Sequence, residues 1–323
     1  MQITEVQALA AKIKENMEKV IVGKSEQIDL VLAALLAKGH VLLEDVPGTG
    51  KTVLAKSLAK SIDTKFKRIQ FTPDLLPSDL IGINYYNQKE GEFVFREGAL
   101  FTNILLADEI NRATPRTQSS LLESMEEKQV TVDGTTYKLE APFFVIATEN
   151  PVETQGTFPL PEAQLDRFLI QLSMGYTSKE EAVRILQRFV NKTPAEDVEA
   201  VCTLEQLLEM QKSIEQVKIH PDIAAYTVDI VEKTRQLDEV QLGVSPRGNL
   251  SFLKAAQALA AIKGRDYVTP DDVKELALPV LGHRIILRGS QRNRSTQIES
   301  LIEGILSEVP VPTEDWRNTV KEA

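Results

Sequence analysis

The sequence predicts an α/β fold: a three-layer αβα domain over residues 1–177, then an all-α domain over residues 178–323. Short apolar runs at 41–43, 104–107 and 143–148 each read as a strand covered on both faces, and each ends in a polar or glycine-bearing turn. Helical segments lie between these runs, the alternation that builds a parallel sheet. From Ser178 onward strand patterns stop, and 178–192, 203–216, 220–237, 246–264, 270–281 and 295–307 read as helices.

Taken in order, residues 5–19 form an amphipathic helix with Val6, Leu9, Ile13 and Met17 on one face. Ile21 and Val22 follow; they either line an adenine pocket or pack between helices, and spacing alone does not choose. The next helix carries Ile28, Val31, Leu32 and Leu35. Strand Val41-Leu42-Leu43 then runs into Glu44-Asp45-Val46-Pro47-Gly48-Thr49-Gly50-Lys51-Thr52-Val53. Two glycines let several backbone N–H groups point at one spot, and the helix starting at Lys51 aims its positive end there. That is the phosphate loop of a P-loop NTPase: Lys51 suits the outer phosphates of ATP, and the Thr52 hydroxyl suits Mg²⁺. Gly48, Thr49, Gly50, Lys51, Thr52 and Val53 are the expected nucleotide contacts. Asp45 stands where the full pattern has its first Gly, which puts the backbone at the loop entrance in question.

Residues 66–71 alternate like a strand, and 79–82 start a helix that breaks early. Two strand-like segments, 83–86 and 92–95, flank a turn-rich Asn87–Gly91 stretch and read as a hairpin, after which 98–101 resumes the helix. About 55 residues after the phosphate loop, Ile104-Leu105-Leu106-Ala107 ends in Asp108-Glu109. Asp108 is placed to hold Mg²⁺, and Glu109 to orient and deprotonate an attacking water. A helix at 117–128 and a second hairpin at 130–139, turning on Asp133-Gly134, precede the strand 143–148. Asn150, just past it, either holds the water or γ-phosphate or caps the turn before Pro151. Residues 169–172 read as a last strand, and Trp316 as a packing residue.

The composition bounds the function. A net charge of −10 argues against a nucleic-acid footprint over the whole surface. Cys202 is the sole cysteine, so no intrachain disulfide forms, which suits a reducing, cytoplasmic setting. With three His and one Cys no zinc cluster is expected. The start lacks a signal-peptide pattern, and the apolar runs are too short to span a bilayer.

The chain resembles the MoxR-type AAA+ ATPases of the helix-2-insert clade. The resemblance rests on Glu44–Thr52, on Ala107–Gln118, on Ala147–Phe168 with its Thr-Glu-Asn-Pro and Leu-Asp-Arg-Phe segments, and on Gly243–Arg247. It implies an AAA+ core with a helical lid, and hairpin inserts at 83–95 and 130–139. It implies Asn150 as a polar sensor, Arg167 as an arginine finger and Arg247 as a second sensor, the last two acting on a neighbouring subunit's nucleotide. It tips Ile21 and Val22 towards adenine. Arg112 and Arg116 are alternative fingers. The activity implied is Mg²⁺-dependent ATP hydrolysis by a homo-oligomeric ring, six subunits in number, that remodels or matures a protein client. Cofactor or metal insertion is included, with a separate von Willebrand factor A-type partner. Competing readings are a nucleic-acid motor, the ATPase subunit of a metal chelatase, and a nucleotide-gated switch without turnover.

Overall fold

In the computed structural model, residues 1–46, 48–151, 156–191, 198–289 and 294–313 are described; Pro47, residues 152–155 of the Ala147–Phe168 stretch, and Trp316 lie outside them. The chain opens with α1 (Ile3–Glu18), α2 (Ser25–Leu36), β1 (Val41–Glu44), α3 (Lys51–Ser61) and β2 (Phe66–Gln70). Then come α4 (Pro77–Ile81), the hairpin β3 (Ile83–Asn87) and β4 (Glu92–Arg96), β5 (Ile104–Asp108) and α5 (Pro115–Glu127). A second hairpin of β6 (Gln129–Val132) and β7 (Thr135–Lys138) leads to β8 (Phe144–Glu149), the short α6 (Glu162–Leu165) and β9 (Ile170–Leu172).

Five strands form one parallel sheet in the order β2-β5-β8-β1-β9. The apolar runs of β1, β5 and β8 are continuous because both faces are covered. On β5, Ile104 and Leu106 enter the layer that holds Val6, Ile13, Leu54 and Leu58, whereas Leu105 and Ala107 enter the layer of Phe71, Leu80, Leu121 and Leu122. The register pairs Gln70 with Asp108 and Glu44 with Glu149, so the carboxyl ends of four strands lie level and carry polar side chains. That edge is where open α/β sheets bind ligands.

The second half supplies α7 (Lys179–Asn191), α8 (Leu204–Ser213), α9 (Pro221–Gln236), β10 (Val240–Leu242), α10 (Pro246–Ile262), α11 (Pro270–Leu281), β11 (Ile286–Leu287) and α12 (Arg294–Glu308). Reciprocal capping boxes start α7, between Ser178 and Glu181, and α8, between Thr203 and Gln206. Apolar residues of α10, including Phe252 and Leu259, join the same buried cluster as Val6 and Ile13 of α1.

Two sequence expectations fail. The helix does not resume at 98–101. Instead the Ala99 and Leu100 amides donate to the Asp79 and Leu80 carbonyls at 3.0 Å, and a Cβ at Gly98 would sit 2.2 Å from the Leu80 oxygen. The returning leg of the hairpin is therefore pressed against α4 as a turn. Strands also do not stop at Ser178: β10 and β11 pair antiparallel. At three and two residues they are too short to show an alternation.

The two inserted hairpins touch. Phe95 stacks on Tyr137 with ring centroids 4.0 Å apart, and Asn84 Nδ2 donates to Asp133 Oδ2 at 2.8 Å. Asp133 (φ 50°) and Gly134 (φ 81°) are both left-handed, as a type I′ turn requires.

Candidate active site

The phosphate loop leaves β1 with Asp45 N donating to Glu149 O at 3.1 Å. Asp45 has no positive φ, so no glycine is needed there; the left-handed positions are Gly48 (φ 86°) and Gly50 (φ 94°). Asp45 is instead an anchor. Its carboxylate accepts from the Met174 amide, from Ser173 Oγ at 3.0 Å and from the Gly175 amide at 3.3 Å, tying the loop after β9 to the phosphate loop. Lys51 Nζ donates to the Asp45 carbonyl at 2.9 Å, folded back over the loop. A Cβ at Gly48 or Gly50 would meet nothing within 4 Å, so the cradle above them is open. Thr52 and Val53 are exposed on the first turn of α3. Ile21 and Val22 are buried between α1 and α2, Ile21 within the main core cluster. Their neighbour Lys24 donates to Tyr176 O at 3.1 Å, which brings this segment to the same loop that Asp45 holds.

Asp108 ends β5 and is buried. Its Oδ1 accepts from Thr148 Oγ1 at 2.7 Å, and its Oδ2 accepts from Arg68 Nη2 at 2.6 Å and Nε at 3.1 Å. Glu109 takes the left-handed conformation at φ 55°, which turns its side chain off the strand line. Its amide donates to Thr148 Oγ1 at 2.8 Å, and its Oε2 accepts from Gln70 Nε2 at 2.7 Å and lies 3.0 Å from Arg112 Nε. Arg68 Nη2 also donates to Gln70 Oε1 at 2.9 Å, so Asp108, Arg68, Gln70 and Glu109 form one chain of contacts. Asn150 is buried immediately past β8. Hard oxygen donors from Asp108 and Thr52 fit a small divalent cation. Arg112 belongs to this end of its own chain, on the Glu109 carboxylate.

Sequence reading missed Arg68, Gln70 and Thr148. The available signal was polarity near the carboxyl ends of the strands: Arg68 and Gln70 share a face of β2, and Thr148 follows the apolar run of β8.

Comparison with known proteins gives the same picture. Residues 40–170 match the family model for the ATPase family associated with various cellular activities (AAA), and residues 232–305 match that for the AAA lid domain. A crystal structure from Cytophaga hutchinsonii is similar, with a TM-score of 0.88 and 39% identity, covering 96% of this chain and 97% of that one. The uncharacterised protein YeaC of Bacillus subtilis is 52% identical over 96% of this chain and 97% of its own length. Chaperone MoxR1 of Mycobacterium tuberculosis is 41% identical over 95% of this chain and 83% of its own length. The chain belongs to the MoxR family of AAA+ ATPases.

The two arginines singled out in this MoxR-family chain lie together at the other end of the sheet. Arg167 precedes β9, and just ahead of that strand Leu169 N donates to His40 O at the amino end of β1. Arg247 lies on the first turn of α10. Both contact Glu126 near the end of α5: Arg247 Nη2 at 2.5 Å from Oε1 and Arg167 Nη2 at 3.4 Å from Oε2. The helix α5 runs from the acidic end of the sheet back to the amino end, so Glu126 lies on the order of 15 Å along its axis from that acidic end. Asp166, beside Arg167, is bound by the buried Arg284 at 2.6 Å and by Ser245 Oγ, the cap of α10, at 3.3 Å. The structure thus unites Arg167 with Arg247 and separates both from Lys51, Asp108 and Glu109. Arg116 is exposed near the start of α5.

Two carboxylates flank the strand ends. Burial, reinforced by the charge of Glu44, pushes Glu149 up to about 7. Glu44 is raised by burial, opposed by Arg294, and its Oε2 accepts from Gln171 Nε2 at 2.5 Å.

Proposed function

We propose that the chain hydrolyses ATP with Mg²⁺ as a ring of identical subunits, six in number, whose sites are shared between neighbours. The observation that carries this reading is the separation just described: the phosphate loop and acidic pair at one edge of the sheet, and Arg167 with Arg247 at the other. Neither arginine reaches its own phosphate loop, and a neighbour packed head-to-tail brings one edge to the other. Head-to-tail contacts of this kind close into rings.

In that arrangement backbone N–H groups around Gly48 and Gly50 cradle the phosphates, Lys51 turns outward from the Asp45 carbonyl to the outer phosphate, and the segment at Ile21 and Val22 faces adenine. Mg²⁺ held by Asp108 and Thr52 would offset phosphate charge. Glu109, released from Gln70 and Arg112, accepts a proton from the attacking water, while Asn150 positions that water. Arg167 and Arg247 of the adjacent subunit supply positive charge at the terminal phosphate, worth about 10³–10⁵ in rate for an arginine finger.

The work done is remodelling of a protein client in the cytoplasm, with cofactor or metal insertion and a separate von Willebrand factor A-type partner as its finer form. Support comes from the hairpins. Tyr86 and Phe93 pair edge-to-face at 5.4 Å on β3 and β4, and Phe93 is 73% exposed. An apolar surface of that kind suits a polypeptide. The net charge of −10 favours a protein client over nucleic acid. Among the described residues no helix is long and apolar enough to cross a membrane.

The test is phosphate release per subunit against protein concentration. Activity per subunit should rise with concentration and vanish in Glu109→Gln at unchanged nucleotide binding. Constant activity per subunit contradicts shared sites, and retained release in Glu109→Gln contradicts the assigned base.

A further inference from the structure

Glu126 joins two arginines at the surface. One carboxylate serves two guanidinium groups that come from distant segments, Arg167 before β9 and Arg247 at the start of α10. The third arginine nearby, Arg284, is otherwise engaged: it is buried, and it donates to Asp166 Oδ1 at 2.6 Å and to the Phe168 carbonyl at 2.7 Å. Three cations, Arg167, Arg247 and Arg284, thus face two carboxylates, Glu126 and Asp166, and the excess positive charge lies with the pair on Glu126. That pair is at the surface, with side-chain exposures of 28% for Arg167, 52% for Arg247 and 35% for Glu126. The Arg247 hydrogen bond, with the charges of Arg247 and Arg167, holds the Glu126 carboxyl below its ordinary range, so at neutral pH it is an anion.

A carboxylate and a terminal phosphate present the same face to an arginine: two oxygens in a plane that match two N–H groups. The phosphate carries more charge and more oxygens. An exposed ion pair is weak, so a stronger anion displaces it readily. We infer that Glu126 is a positioning residue that stands in for phosphate: it gathers Arg167 and Arg247 into one two-pronged cation in the free subunit and yields both to the terminal phosphate of a neighbour's nucleotide. This rests on the shared-site reading above.

Two opposite effects follow, and they separate by substitution. As a gatherer, Glu126 spares two long side chains the entropy of finding each other. As an anion, it competes with the incoming phosphate. Glu126→Gln keeps the shape and an acceptor oxygen but removes the competing charge. Glu126→Ala removes both.

The experiment measures phosphate release per subunit across protein concentration at saturating ATP and Mg²⁺, for wild type, both variants, and Glu126→Gln combined with Arg167→Ala and Arg247→Ala. Glu126→Gln should reach half-maximal activity at about three- to tenfold lower protein concentration with kcat retained, the range that one or two exposed ion pairs span. Glu126→Ala should lose kcat. The doubly arginine-substituted protein should be close to inactive, and Glu126→Gln should restore no phosphate release to it. A Glu126→Gln curve that superimposes on wild type overturns the stand-in role, leaving Glu126 a surface ion pair. Loss of kcat in Glu126→Gln equal to that in Glu126→Ala also overturns it, since the charge would then be needed during turnover. A wild type with no concentration dependence overturns the shared-site reading itself, and the Glu126 role with it.

Discussion

Asp45→Gly would restore the first glycine of the phosphate-loop pattern, and pattern alone predicts a neutral or favourable change. The structure predicts the opposite. The Asp45 carboxylate is the acceptor for the buried Met174 amide, and for the Gly175 amide and Ser173 hydroxyl at the surface. Losing a charged acceptor and stranding a buried N–H costs about 1.5–3 kcal/mol. The two surface donors turn to water and add little. A glycine at a position with ordinary backbone angles adds about 0.5–1 kcal/mol of lost chain entropy. The sum is about 2–4 kcal/mol, and a chain of this size should melt roughly 3–6 °C lower. Lys51 keeps its bond, because its acceptor is the backbone oxygen of residue 45. Asp45→Asn retains an acceptor for the Met174 amide and should lose about half as much. Differential scanning calorimetry of the three proteins without nucleotide reads this directly. An Asp45→Gly protein that melts with wild type, or above it, refutes the anchoring role.

Further outcomes follow from the same geometry. Arg68 neutralises Asp108, so Arg68→Gln should lower the Mg²⁺ concentration for half-maximal phosphate release by about three- to tenfold; a rise would mean that Arg68 contacts the phosphates. Glu149 has a folded value of about 7, above its ordinary 4.5. Its neutral form therefore stabilises fully below about pH 4.5, and up to about 3 kcal/mol is lost as pH rises to 7. Glu149→Gln should match wild type in urea unfolding at pH 4 and exceed it by about 2–3 kcal/mol at pH 8; equal stability at both pH values would deny the buried pairing with Glu44. Thr148 bridges Asp108 and the Glu109 amide while fully buried. Thr148→Val, of equal volume, should cost about 1–3 kcal/mol and lower kcat, with both unchanged if the bridge is idle.

Much of this was legible in the residues. The apolar runs of β1, β5 and β8 announce themselves because both faces are buried, and Gly50-Lys51-Thr52 and Asp108-Glu109 sit where such strands end. What was hidden depends on strand order. Arg68 meets Asp108 only because β2 neighbours β5, and Thr148 meets it only because β5 neighbours β8. Those pairs are 40 residues apart in sequence. Gly98 looked like a helix residue because its collision with the Leu80 carbonyl is a tertiary fact. Asp45 looked like a missing glycine because the pattern records a residue type and not the torsion angle. Glu126 carried no signal at all, since its meaning comes from two arginines that the fold delivers to it.

If each site is built by two subunits, mixing two defective variants shows it most directly. Lys51→Ala lacks a working phosphate loop but keeps Arg167; Arg167→Ala keeps the loop but lacks the arginine. Each alone should be close to inactive. Mixed in equal amounts and allowed to exchange, about a quarter of head-to-tail interfaces pair an intact loop with an intact arginine, so about that share of wild-type phosphate release should return. No recovery on mixing, with exchange verified, would contradict shared sites.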